Sequence, residues 1–253
     1  MPEFPYYRAN IPSLTPLKIR QGKIGNEELP MTMQVAMIGT GGIVLASDTQ
    51  CTVPPHGMHD IAEVGIHARG ESKIRIDATK RLAISCASDT GKSVEIADAI
   101  ISDFPVLKDA VPHIRETRMW EIGNMLAGEL HVQCIVIFAD PAPDMYFLEF
   151  AKNLGIRSCR QMINKVAAGN TVNAAVFWQE AYYSRRPLSH LVRLAAHQVV
   201  AASKLGFPGI GGLEILVCDG SGIDIWDEER NRKLELETNV RHERIGELVM
   251  ESA

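Results

Sequence analysis

The stretch MTMQVAMIGTGGIVLASDTQCT, Met31 to Thr52, decides how the rest of the chain is read. Met33 to Ile38 and Ile43 to Asp48 are β-prone runs, and Gly39-Thr40-Gly41-Gly42 between them is a hairpin signal. Pairing two such strands brings the start of the first to the end of the second, so Thr32 and Asp48 are expected side by side at a sheet rim. SKIRID, Ser72 to Asp77, alternates like a further strand and can bring the Lys73 ammonium beside them. A threonine hydroxyl is a poor nucleophile until a base takes its proton, and a free α-amine on the same residue can serve. With a reference pKa near ~8 that amine is partly neutral at physiological pH. A lysine cation lowers the pKa of the hydroxyl and the amine, and a carboxylate holds the lysine in place. Residues of these three types at such spacings are common, so the trio by itself suggests a chemistry without specifying it.

Working outward, Thr52 to Ser72 is polar and rich in glycine and proline, and reads as a long loop. RLAISCA, Arg81 to Ala87, is a strand candidate, and a helix starts near Thr90, with Asp89-Thr90 as its cap. A second helix is expected over Glu116 to Leu130. VQCIVIFAD and MYFLEF follow as a strand pair, then helices over Thr171 to Tyr183 and Ser189 to Lys204. LEILVCD and GIDIW form a closing hairpin, and the tail from Asp227 is charged and partly helical. Hairpins imply antiparallel pairing, and helices in pairs suit a layer outside each sheet. The expected class is therefore α+β, two antiparallel sheets face to face between helical layers. The strict strand–helix alternation of a doubly wound fold is missing. No linker-like tract breaks the chain, so residues 32–253 read as one domain, with 1–31 as a Pro-rich arm or removable leader.

TMQVAMIGTGGIVLASDTQCT resembles the start of a mature proteasome β-type subunit, in which a leading threonine opens a hairpin that ends in an A-x-D segment. SKIRI is similar to the lysine-bearing strand of that family, RLAISCASDTGKSVEIADAI to its next strand and first helix, and LEILVCDGSGIDIW to its last hairpin. The resemblance implies an N-terminal-nucleophile hydrolase with a four-layer αββα sandwich. Thr32 would be the nucleophile, its freed amine the base, Lys73 the electrostatic activator and Asp48 the partner of Lys73. Ala87 falls where the family carries a glycine whose backbone N–H stabilises the oxyanion, and a backbone donor survives that exchange. The implied partners are peptide or unfolded-protein substrate, a homo-oligomeric ring or related assembly, and an ATP-dependent unfoldase, with no cofactor. A catalytically silent structural subunit and a non-peptide amidase such as an acylase are the other readings of the same fold.

Several segments depart from the family pattern. The loop between Asp48 and Lys73 is longer. Gly169 stands where a helper serine is usual, with Asn170 or Thr171 as a substitute polar contact. Lys204-Leu205-Gly206-Phe207-Pro208-Gly209-Ile210-Gly211-Gly212 replaces an acidic and serine pair. The family favours glycine before its threonine and this chain has Met31. Thr32 would become terminal either by self-cleavage of residues 1–31 or, the preferred route, by initiation at Met31 and removal of that methionine.

Composition narrows the field further. The 253 residues are 46% hydrophobic and 23% charged with a formal net charge of −5, ordinary for a globular chain and without the basic balance that nucleic acid or an anionic membrane attracts. No apolar run has the length of a membrane span. Five cysteines, widely spaced and never in CxxC, read as reduced core thiols of a cytoplasmic protein. His56, His59 and His67 with Asp60 are more readily a solvated loop than a metal site. Asp89 suits a helix cap at least as well as a pocket for a basic side chain. The glycines at 206 to 212 suit a tight turn, and Phe177, Trp178, Tyr182 and Tyr183 a core or subunit contact.

Overall fold

The computed structural model describes residues 32–52, 67–69, 71–87, 90–128, 130–151, 154–171, 173–205 and 210–251. The leader expected over 1–31, His56, His59 and Asp60 of the HGMHD stretch, and Asp89 lie outside the described residues.

The first sheet holds β1 (Met33–Gly39), β2 (Gly42–Ser47), β10 (Lys165–Gly169), β11 (Glu214–Asp219) and β12 (Gly222–Ile225), in the order β10-β1-β2-β11-β12. The second holds β5 (Ile74–Ile76), β6 (Leu82–Ala87), β7 (Val132–Phe138), β8 (Asp144–Ala151) and β9 (Ile156–Met162), in sequence order. Every pairing in both sheets is antiparallel. The period of two along β1 and β2 sorts their side chains between two cores. Val35, Met37, Val44 and Ala46 pack outward against Leu191, Ala195 and Val199 of α5 (Leu188–Lys204). Ala36, Ile43 and Leu45 face Ala83, Ile135 and Ile137 of the second sheet. On that sheet's far side, Leu82, Ile84, Val136 and Phe138 meet Ile96 and Ile100 of α1 (Thr90–Ser102) and Met119 of α3 (Pro112–Leu126). Strands covered on both faces are apolar at nearly every position, which is why IVLA and QCIVIF carry no alternation. The result is the expected α+β sandwich of two antiparallel sheets between helical layers.

Several elements differ from the sequence expectation. A short pair, β3 (Gln50–Thr52) with β4 (His67–Arg69), lies within the segment read as loop. β9 and β10 were not anticipated. β9 is the sheet edge and reads IRSCRQM, with side chains exposed or half-buried, so it lacks an apolar face to announce it. β10 is KVAAG, whose small residues carry little β propensity. α2 (Phe104–Leu107) was also missed, and α3 begins at Pro112 rather than Glu116, because proline fits a first helical turn where its missing N–H costs nothing. α4 spans only Val176–Tyr182, and α6 runs the length of the tail, Glu228–Glu251.

The reading of the cysteines as reduced is corrected at two positions. Cys86 and Cys134 face one another across the β6–β7 ladder with Cα atoms 4.1 Å apart, and they form a disulfide. Cys159 and Cys218 are free. Among the four aromatics of the α4 segment, Trp178 stacks on Tyr182 and meets His197 edge-on, while the Tyr183 hydroxyl donates to the Ile38 carbonyl at 2.9 Å. Phe177 and Tyr182 are exposed. No helix among the described residues is long and apolar enough to cross a membrane.

Candidate active site at the sheet rim

The β1–β2 register runs from Gln34 opposite Ser47 to Gly39 opposite Gly42, so the hairpin reverses through Thr40 and Gly41, the latter at φ +92°. That register carries Asp48 to the start of β1. The Asp48 N–H donates to the Met33 carbonyl at 3.1 Å, and the Met33 N–H donates to Asp48 Oδ1 at 2.9 Å. Behind them, the Thr49 N–H donates to the Gly211 carbonyl at 3.0 Å. Gly211, near the end of the glycine-rich stretch before β11, thus closes against the residue after Asp48.

On the other side of β1, Met33 pairs with Gly169, and the Asn170 N–H donates to the Thr32 carbonyl at 2.7 Å. Gly169 sits at φ +86°, and a Cβ there would strike the Thr32 carbonyl oxygen, so the position requires glycine. The Gly169 N–H donates to Gln133 Oε1 at 2.8 Å, and Gln133 Nε2 donates to Glu149 Oε1 at 2.7 Å. This chain of contacts ties the rim of the first sheet to the second. Gln133 is one polar residue in the apolar run VQCIVIF, and nothing in the sequence marks it as a contact of the rim. Asn170 is buried as well, and its Oδ1 has no hydrogen-bond partner among the described residues.

Lys73 arrives from the second sheet, immediately before β5. Its Nζ donates to Thr32 Oγ1 at 3.0 Å and to Asp48 Oδ2 at 2.8 Å. Thr32 is 8% exposed and the Asp48 side chain is wholly buried, while the Lys73 side chain keeps 11% exposure. Burial pushes the Asp48 carboxyl above its ordinary value, against the Lys73 ammonium and the N–H groups of Met33 and Gln50, which favour the charge. The structure therefore brings together Thr32, Asp48 and Lys73. In this arrangement the ammonium is placed where it would offset negative charge on the threonine oxygen, and both Asp48 oxygens are already engaged.

Ala87 closes β6 opposite Gln133. The Gln34 side chain donates to the Cys86 carbonyl at 3.1 Å, the oxygen of the peptide unit that also contains the Ala87 nitrogen. Gln34 lies two residues beyond Thr32 on the same strand face, a link that only the packing of the two sheets reveals. Among the described residues, no group of three or more His, Cys, Asp or Glu is placed to hold a metal ion.

Two antiparallel five-stranded sheets between helical layers, with a threonine at the rim of the first, constitute a proteasome-like fold. Among solved structures, the chain is similar to Anbu, an ancestral β-subunit, from Yersinia bercovieri, with a TM-score of 0.65 over 86% of this chain and 97% of that one, at 10% identity. No protein-family profile matches the chain, and no curated protein matches it. Similarity at that identity is a statement about the fold.

Proposed function

We propose that the chain is a threonine-type peptidase subunit of a proteasome-like oligomer, acting on peptide bonds through Thr32. The observation that carries the reading is the single ammonium shared between Thr32 Oγ1 at 3.0 Å and the buried Asp48 carboxylate at 2.8 Å. In the 253-residue chain Thr32 follows Met31, so its nitrogen is an amide; release of a free amine supplies the base. That amine takes the Oγ proton as Oγ attacks the substrate carbonyl carbon. Lys73 offsets the charge that develops on Oγ, and a backbone N–H at Ala87 serves the oxyanion. Collapse breaks the C–N bond, the leaving amine takes the proton, and an acyl ester on Thr32 remains for water to hydrolyse. Asn170 Oδ1, buried beside this segment, is the acceptor we assign to the released amine in place of the family's serine.

The silent-subunit reading draws on the replacement of that serine by Gly169, on the Lys204 to Gly212 segment standing where an acidic and serine pair is usual, and on the extension over residues 1–31. Substrate, ring assembly, unfoldase and a cytoplasmic setting belong to the proposal as expectations. Intact-mass spectrometry of the natively expressed protein tests it, followed by treatment with a β-lactone or epoxyketone probe and a Thr32→Ala control. The expected result is a chain beginning at Thr32 with one adduct on that residue. A dominant species that retains Met1, or a free Thr32 that takes no label, sinks the peptidase reading.

A further inference from the structure

A carboxylate outside the trio grips the strand that carries the lysine. Glu214 opens β11 and pairs in register with Ser47, the residue before Asp48. It is 8% exposed, and its side chain crosses from the first sheet to the start of β5 in the second. There Oε1 accepts the Ser72 hydroxyl at 2.6 Å, and Ser72 Oγ accepts the Ile74 N–H at 3.2 Å. Burial pushes the Glu214 carboxyl up, and the Ser72 hydroxyl, the Lys73 and Ile74 N–H groups and the Lys73 charge act against that burial. The residues before and after Lys73 are thus both held by one contact network, while the Lys73 side chain leaves it toward Thr32 and Asp48.

A lysine ammonium rides on a flexible four-carbon stem, so where it spends its time depends on how firmly its backbone is placed. We propose that Glu214, acting through Ser72, is the positioning residue that sets Lys73 against Thr32. The inference rests on the reading of Thr32 as nucleophile, but the position of Lys73 can be measured without it. A strut that only joins the two sheets would affect folding and leave the ammonium where it is.

The test uses the full chain as expressed, in wild-type form and as Glu214→Ala, Glu214→Gln and Ser72→Ala. Intact mass follows β-lactone capture of Thr32, separating the maximal capture rate from the half-saturating probe concentration, and crystal structures locate Lys73. Glu214→Ala and Ser72→Ala are expected to move Lys73 Nζ out of hydrogen-bond reach of Thr32 Oγ1. The maximal rate should fall ~10- to 100-fold, with half-saturation unchanged, since small misplacements of reacting groups have effects of that size. Glu214→Gln keeps an oxygen acceptor and should stay within about threefold of wild type. Ser72→Ala removes one hydroxyl and carries the test if Glu214→Ala does not fold. Lys73 found in its wild-type place in the variants overturns the proposal, as does an unchanged maximal rate. If the wild-type protein takes no label, the peptidase reading falls and the Lys73 position alone decides the role of Glu214.

Discussion

A buried aspartate stands at each end of β5, and the two are held in opposite ways. Asp77, at the exit, is 5% exposed and accepts from the Thr79 hydroxyl and from the N–H groups of Thr79, Arg81 and Leu82. Burial pushes its carboxyl up, but the Thr79 hydroxyl and the three N–H groups together outweigh it and hold the pKa below the ordinary value. Asp48, at the approach to β5, meets one cation, Lys73, and the N–H groups of Met33 and Gln50; there burial prevails and the pKa lies above the ordinary value. All donors to Asp77 come from the next five residues of its own turn. The principal partner of Asp48 comes from the other sheet and is shared with a hydroxyl. One carboxylate is saturated for the sake of a turn, whereas the other holds a cation whose remaining bond goes to Thr32.

Removing that shared cation should have the largest effect. Lys73→Ala is expected to lower β-lactone capture by Thr32 ~10²- to 10³-fold, the size of effect seen when a preorganised electrostatic donor is deleted. It also strands a buried carboxylate, a loss of roughly 3–5 kcal/mol when one partner of a buried pair is removed. Adding Asp48→Asn takes away the stranded charge, so the double variant should recover much of the thermal stability and none of the capture. A double variant that recovers capture breaks the assignment of Lys73 as activator.

The two aspartates should also respond to acid with opposite signs. Asp48 has a raised folded-state pKa, so the native protein holds that proton more firmly than the unfolded chain. Its contribution therefore favours the native state at low pH and falls away as pH rises from about 4 through the folded value. Asp77 has a lowered folded-state pKa; its contribution is fully present above about 4 and is lost as pH falls through the folded value. Urea unfolding measured across this range checks both. Asp48→Asn should remove a decline toward higher pH, and Asp77→Asn a decline toward lower pH. At neutral pH, Asp77→Ala should cost about 3 kcal/mol, from several donors left without an acceptor, with capture per folded molecule unchanged. Loss of capture at a temperature where Asp77→Ala is folded would blur the contrast between the two ends.

Residues fixed by a hairpin or carried on a strand with a visible alternation are the legible ones. The glycine reversal at residues 39–42 fixed the β1–β2 register, and that register alone placed Asp48 beside Thr32. The alternation of SKIRID supplied Lys73. What stayed hidden depends on which residues the two sheets bring face to face. Gln133, Asn170 and Glu214 come from three different segments, and Glu214 lies inside LEILVCD, where it passes for one polar residue in an apolar strand. Gly169 was visible only as a missing serine; its positive φ and its approach to the Thr32 carbonyl appear once β10 is paired with β1. β9 escapes notice because an exposed edge strand needs no buried stripe, and β10 because its buried face is made mainly of small residues with little β propensity.

The smallest effect belongs to the middle of β5. Arg75 reaches Asp98 of α1 at 2.7 Å, as short a contact as the Lys73–Asp48 bridge, but its side chain is 44% exposed and that of Asp98 55%. Water competes for both charges and salt screens them, so Arg75→Ala should change stability by less than about 0.5 kcal/mol, and by less again in high salt. Chemical denaturation at low and high ionic strength measures it, with Thr32 capture as the internal control. Capture should be unchanged, because the contact fixes neither neighbour of Lys73. A loss of capture in Arg75→Ala would mean that strand β5 is steered from its exposed middle and not from Ser72 and Glu214 at its start.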